Sequence, residues 1–406
     1  MISLLYRAMD VSDRTGIILN ALESRAQFIN TLPEGVTSSL MELYGDISRG
    51  HRNLAKLRRA GKPMGNIVAV KEDIARSLEG RFFPTEIRRH IADNVKNILV
   101  YKVTVDGRPI TIEFGLSEDQ LGNLEQYGGY IDFILLWLHV CGAYAKDTCA
   151  KSLIVRLFLT DFPKLLPTEN RVTLGPVNVN TGYSYFCAPK GEIVLYRMEE
   201  WKKVFIHETF HAHGLDFSCN ANKLISRVKK LFPVRSEHRV SEAYTETWAR
   251  ICNSAMCAYL CTSGRPTRAT YMQNVLFNIG IERMYAAVQC RKVLAHMGLV
   301  YDSLVGDSDT NAVLRANLYK EDSNVLAYYV ITAALLSDYP RFISWCRTNN
   351  TTLLRFRATD ANWSSFAQMV EELAVSRGFL NIMRDIGPTK IPGMEESLTM
   401  SAVEGI

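Results

Sequence analysis

A chain of 406 residues with 47% hydrophobic composition has enough apolar surface for one large or several ordinary cores, which excludes a disordered or fibrous protein. The net charge of +5 is spread over short clusters such as RNLAKLRRAGK (52–62) and RVKKLFPVR (227–235), which read as solvated faces. No aromatic-and-basic stripe accompanies them, so nucleic acid is not the expected partner.

The nine cysteines are odd in number and scattered, with no CxxC pair. They argue against a disulfide framework or a ribbon-type zinc site and fit a reducing, intracellular (cytoplasmic) compartment. Cys252, Cys257 and Cys261 fall in an apolar helical stretch and read as buried thiols. The start, MISLLYRAMDVSDR, lacks the basic segment and cleavage site of a signal peptide. The most apolar windows, YIDFILLWLHVCGAYA (130–145) and VLAYYVITAALL (325–336), are too short for a membrane span and read as core helices.

From residue 1 to about 95 the apolar spacing is helical, broken at Pro33, Gly50, Pro63 and Pro84. NILVYKVTVDGRPITIEFG (97–115) alternates on both sides of Asp106-Gly107, which predicts a β-hairpin with a type I′ turn. A helix is expected over 117–145, and SLIVRLFLTDF (152–162) reads as a buried strand. VTLGPVNVNTGYSYFCA (172–188) and EIVLYR (192–197) read as two more strands, followed by a helix from about Glu199. Beyond it the pattern predicts helices over 220–231, 238–262, 268–299, 321–337, 340–347 and 363–378, then a loose tail. The expected fold class is α+β, mainly helical, with a small mixed or antiparallel sheet packed on the helix from Glu199. The expected organisation is a mostly helical region over 1–115 ending in the hairpin, a core over 116–265, a helical region over 266–385 and a flexible tail over 386–406.

That helix carries HETFHAHGLDF (207–217), three of the eight histidines within seven positions. His207 and His211 are four apart, so on a helix their imidazoles share one face and can share one metal ion. Glu208 lies beside the first ligand, where a carboxylate can take a proton from a water on zinc. This is the HExxH pattern. Gly214 stands where a C′ glycine ends a helix, and His213 reads as a helix-end residue that meets the terminal carbonyls.

A catalytic zinc usually has three protein ligands and a water, so a third is required. Downstream, SEAYTE (241–246) places Glu242 and Glu246 four apart on one helix face. Over residues 175–250 the chain resembles the gluzincins, the thermolysin-like branch of the zincin metallopeptidases. The resemblance implies Zn2+ held by His207, His211 and Glu242, with Glu208 as catalytic base and Glu246 as the outer acid that accepts a hydrogen bond from His207. Ser241 replaces the family's asparagine and Glu246 its aspartate, which leaves Glu242 and Glu246 as alternatives for the third ligand. HETFHAHG also begins like the metzincin motif, but that family needs a histidine where Phe217 stands, and Asp216 is one residue out of register.

Zincins pair an extended substrate with an edge strand beside the catalytic helix. This makes Asn180, Gly182 and Tyr183 candidate substrate contacts, with His238, Tyr244 and Arg250 as candidate oxyanion contacts. The resulting expectation is a zinc-dependent metallopeptidase acting on polypeptides. The alternatives are a structural or virion-assembly scaffold that keeps such a core and a zinc hydrolase of non-peptide bonds. A looser similarity to metallopeptidases of large DNA viruses implies virion association.

Overall fold

Asp106 and Gly107 both take positive φ, 47° and 79°, as a type I′ turn requires, and they join the two strands of the expected hairpin. The computed structural model describes residues 12–22, 32–61, 63–70, 79–218, 222–262, 265–387 and 391–405. Its strands are β1 (Gly65–Ala69), β2 (Asn97–Val105), β3 (Arg108–Leu116), β4 (Ser152–Thr160), β5 (Gly182–Ser184) and β6 (Lys190–Arg197). The helices that bear on the site are α1 (Gln126–Gly142), α2 (Trp201–Ala212), α3 (Asn222–Leu231), α4 (Val240–Leu260), α5 (Arg268–His296) and α6 (Asp360–Ala374). The protein is α+β and mainly helical, as the sequence predicts.

One compact unit comprises Glu42–Pro163 and Asn180–Leu215. Its six-stranded sheet has the order β1-β2-β3-β4-β6-β5. β3, β4 and β6 run parallel, while β1, β2 and β5 pair antiparallel with their neighbours. The central β4 is apolar almost throughout because both its faces are covered. Its one charge, Arg156, is held by Glu113 of β3 at 2.8 Å and Glu192 of β6 at 2.6 Å. β1 interrupts the region expected to be helical from 1 to 95; the stretches 1–11 and 23–31 lie outside the described residues.

Two sequence expectations change. The strand expected over 172–188 shrinks to β5, because Pro176–Val179 forms a helical turn instead. Pro176 has no amide hydrogen for a ladder, and the Asn178 side chain closes the turn by accepting from Gly175 N at 3.0 Å. Cys149 and Cys187 are joined in a disulfide. Thirty-eight residues separate them, and the adjacency of β4 and β6 brings them together, which a search for close CxxC pairs does not register. The cysteine pattern therefore gives no support for a reducing compartment. Cys252, Cys257 and Cys261 are buried thiols, as expected.

The second compact unit comprises Met1–Met41, Lys164–Val179 and Asp216–Ile406 and is built from helices. Helices α4 and α5 pack side by side at its centre. The polar stretch after residue 390, expected to be a loose tail, is packed into this unit instead. Leu398, Thr399, Met400, Ala402 and Val403 are buried. Leu398 N donates to Lys164 O at 2.8 Å, Gln289 Nε2 to Thr399 O at 2.5 Å, and Asn253 Nδ2 to Val403 O at 2.7 Å. Side chains from α4 and α5 thus satisfy an extended backbone that has no ladder of its own. Among the described residues no helix is long and apolar enough to cross a membrane.

Candidate metal centre

Helix α2 is buried on nearly every side; only Lys202 among its twelve residues is not. It packs on β6, β5 and α1. Trp137 of α1 donates from Nε1 to Thr209 Oγ1 at 2.7 Å, and Thr209 Oγ1 donates to Ile206 O at 2.6 Å. This chain fixes the rotation of α2 about its axis, so the 207/211 face is set by packing.

The helix ends as its glycine predicts. Gly214 takes φ 65° and donates to His211 O at 3.0 Å, while Leu215 N reaches back to Phe210 O at 2.8 Å. Glycine is doubly required here, because a Cβ would lie 2.7 Å from Cys149 Sγ. His213 Nδ1 donates to Thr209 O at 3.2 Å, the helix-end role expected of it. Burial, aided by the charge of Arg108, lowers this imidazole to about 4, so it is neutral at ordinary pH.

The Nε2 atoms of His207 and His211 face each other at 3.1 Å, and both residues are buried. Two nitrogens that share a tetrahedral zinc at roughly 2.0–2.1 Å sit about 3.3 Å apart, so the pair is spaced as a shared ion demands. Among the described residues, His207, His211 and Glu242 form a group whose ligand atoms all lie within 4.8 Å of one another. Two imidazoles and a carboxylate suit zinc and related divalent ions. The residues present therefore fit a metal; its identity is not fixed by them. This group contains Glu242 and not Glu246.

Glu208 is buried and its Oε2 lies 2.6 Å from the hydroxyl of Ser184 on β5. Ser184 was not a sequence candidate, and serine in an edge strand carries no signal of its own. Tyr328 is a second such residue: its hydroxyl donates to Glu242 Oε2 at 3.1 Å. It sits in a π-helical turn, Leu326–Ile331, where the sequence predicts an ordinary helix. Such turns recur at functional sites.

Asn180 is buried and its carbonyl accepts from Arg197 Nε at 2.8 Å. Gly182 pairs with Leu195, and a Cβ there would lie 2.4 Å from Leu195 Cδ2. The Tyr183 ring is partly buried and packs against the cluster of Phe83, Ile87 and Tyr196. Tyr244 is fully buried among Phe217, Phe342, Phe356 and Phe366, with its hydroxyl donating to Leu354 O at 3.0 Å and accepting from Asn350 Nδ2 at 2.8 Å. His238 is also buried, its ring nitrogens 3.0 Å and 2.8 Å from the carbonyls of Ser236 and Phe232. Arg250 is buried against Glu246. All three candidate oxyanion contacts are buried; Tyr244 and Arg250 lie on α4, and His238 lies just before it. Phe217, which bars a metzincin reading, belongs to the same aromatic core.

The turn that carries Tyr328 rests on Glu321, whose Oε2 accepts from Leu326 N at 2.8 Å. Burial raises this carboxyl from 4.5 to about 7. The folded protein thus holds a proton between those values that the unfolded chain releases. The associated stability is fully present below pH 4.5 and is lost as pH rises through 7. Stability is expected to fall by about 3 kcal/mol over that window, and Glu321→Gln to remove the slope. Denaturant titrations of both proteins from pH 4.5 to 8 test this; parallel curves would show that Glu321 is not the proton carrier.

Comparison with protein-family models, with curated proteins and with solved structures gave no match.

Proposed function

We propose that the protein is a zinc-dependent peptidase, in which His207, His211 and Glu242 hold the ion and Glu208 is the general base. The observation that carries this reading is the convergence of three ligand atoms, two of them from one turn of α2, with a buried carboxylate at the adjacent position on that helix. A zinc ion held there would supply a water of lowered pKa and polarise a carbonyl. With a metal bound, Glu208 would be the residue placed to accept a proton on a carboxylate oxygen and return it to the leaving amine. Tyr328 holds the Glu242 carboxylate from behind, the outer support that metal ligands commonly have. An extended polypeptide adds to the open edge of β5, the terminal strand of the sheet.

Elemental analysis tests this directly. The purified wild type is expected to contain one zinc per chain, and His211→Ala and Glu242→Ala to contain none after dialysis. Glu246→Ala is expected to keep its metal with affinity about 10- to 100-fold weaker, as befits a residue outside the ligand set. A wild type without stoichiometric metal defeats the reading, and loss confined to Glu246→Ala would transfer the ligand role from Glu242.

A further inference from the structure

We propose that Ser184 is a positioning residue that couples polypeptide docking on β5 to the orientation of the Glu208 carboxylate; this rests on the peptidase reading above. Ser184 Oγ lies 2.6 Å from Glu208 Oε2 and 3.1 Å from the carbonyl oxygen of the same residue. A hydroxyl has one proton to donate, and the shorter of the two contacts, to the carboxyl oxygen, takes it. Glu208 has several rotamers open to it in principle, and this bond selects one.

The same residue has a second connection. Thr181 O accepts from Tyr196 N at 2.9 Å, and the register continues as Gly182 with Leu195, Tyr183 with Val194 and Ser184 with Ile193. Antiparallel pairs alternate between bonded and non-bonded. Thr181 and Tyr183 therefore point their main-chain groups at β6, while those of Gly182 and Ser184 point away from it, toward the open edge. A polypeptide pairing there would bond to the backbone of Ser184, whose side chain already holds the base. β5 is only three residues long and depends on β6 for its pairing, so an added strand on its other side would stiffen it. Gly182 reinforces this closeness: a side chain would push β5 off β6, since its Cβ would stand 2.6 Å from Val194 O.

The chemistry is specific to a hydroxyl. Alanine leaves Glu208 Oε2 without this donor, and threonine restores it with a β-branch that strands favour.

The test uses the full chain with Ser184→Ala and Ser184→Thr, and as substrate an internally quenched peptide library of randomised sequence. On the best-cleaved peptide, Ser184→Ala is expected to lower kcat by roughly tenfold to hundredfold, the scale of one lost hydrogen bond to a charged group, with KM within about twofold of wild type. Ser184→Thr is expected to recover most of that loss. As a readout apart from turnover, the visible absorption band of the Co2+-loaded protein should move in Ser184→Ala and return in Ser184→Thr. If Ser184→Ala leaves kcat and the Co2+ band unchanged while Glu208→Gln still abolishes cleavage, the coupling is wrong and the peptidase reading stands. A wild type that takes up no stoichiometric Co2+ would remove the peptidase reading and this proposal with it.

Discussion

Glu208→Gln is expected to lower turnover of any cleaved peptide by about a thousandfold while the protein keeps one zinc per chain. The substitution changes almost nothing but the ability to take a proton. The amide has the size of the carboxyl, and its oxygen can still accept from Ser184 Oγ, now 2.6 Å from Oε2. His207 and His211 are untouched, and α2 stays buried on the same packing of Trp137 against Thr209. A loss of cleavage with metal retained would therefore be assigned to proton transfer rather than to the fold or the ligands. The measurement pairs kcat/KM with elemental analysis on the same preparation. It also separates the alternatives raised by the sequence: a scaffold that carries the metal for stability has no use for a base at 208, so a variant as active as wild type in every assay would favour the scaffold.

The parts of this site that lie close in sequence were legible there, and the parts joined only by folding were not. His207 and His211 share a helix turn, so their spacing alone sets the 3.1 Å approach of their nitrogens. The hairpin about Asp106-Gly107 is likewise a local matter of turn chemistry. Glu242 was reached only through a family resemblance, since nothing local distinguishes it from Glu246, and Tyr328 lies 86 residues further on. The sequence also does not show how deeply a polar side chain sits: His238, Tyr244 and Arg250 are all buried. Low hydrophobicity misled in the same way at the closing stretch. Ser397, Thr399 and Ser401 are polar, yet each is buried and hydrogen-bonded, so polarity there reflects internal pairing and not exposure.

That closing stretch bears on the second large effect, which concerns stability. Arg250→Ala is expected to destabilise the protein by about 3–5 kcal/mol in denaturant titrations, the range for breaking a buried ion pair from one side. Arg250 donates from Nε to Glu246 Oε1 at 2.9 Å, and both side chains are 1% exposed. Its charge also reaches Glu282 of α5, whose carboxyl burial raises even though Arg250 and three donors oppose the shift. Those donors are Ser401 Oγ at 2.5 Å, Ala402 N at 2.9 Å and Val403 N at 2.9 Å, so the cation helps to hold the segment around residue 402 on α5. Removing it leaves two buried acids without their shared counter-charge, and protonating them is the remaining way to relieve the cost. Glu246→Gln in the Arg250→Met background should therefore recover part of the loss, whereas two independent sites would add. The effect should also extend to the ligand set. Arg250 Nη2 lies 3.4 Å from Tyr328 O, and the Tyr328 hydroxyl holds Glu242, so Arg250→Met is expected to weaken zinc binding by about tenfold even where the variant stays folded. Zinc affinity equal to wild type in a folded Arg250→Met protein would show that Tyr328 keeps its place without the arginine.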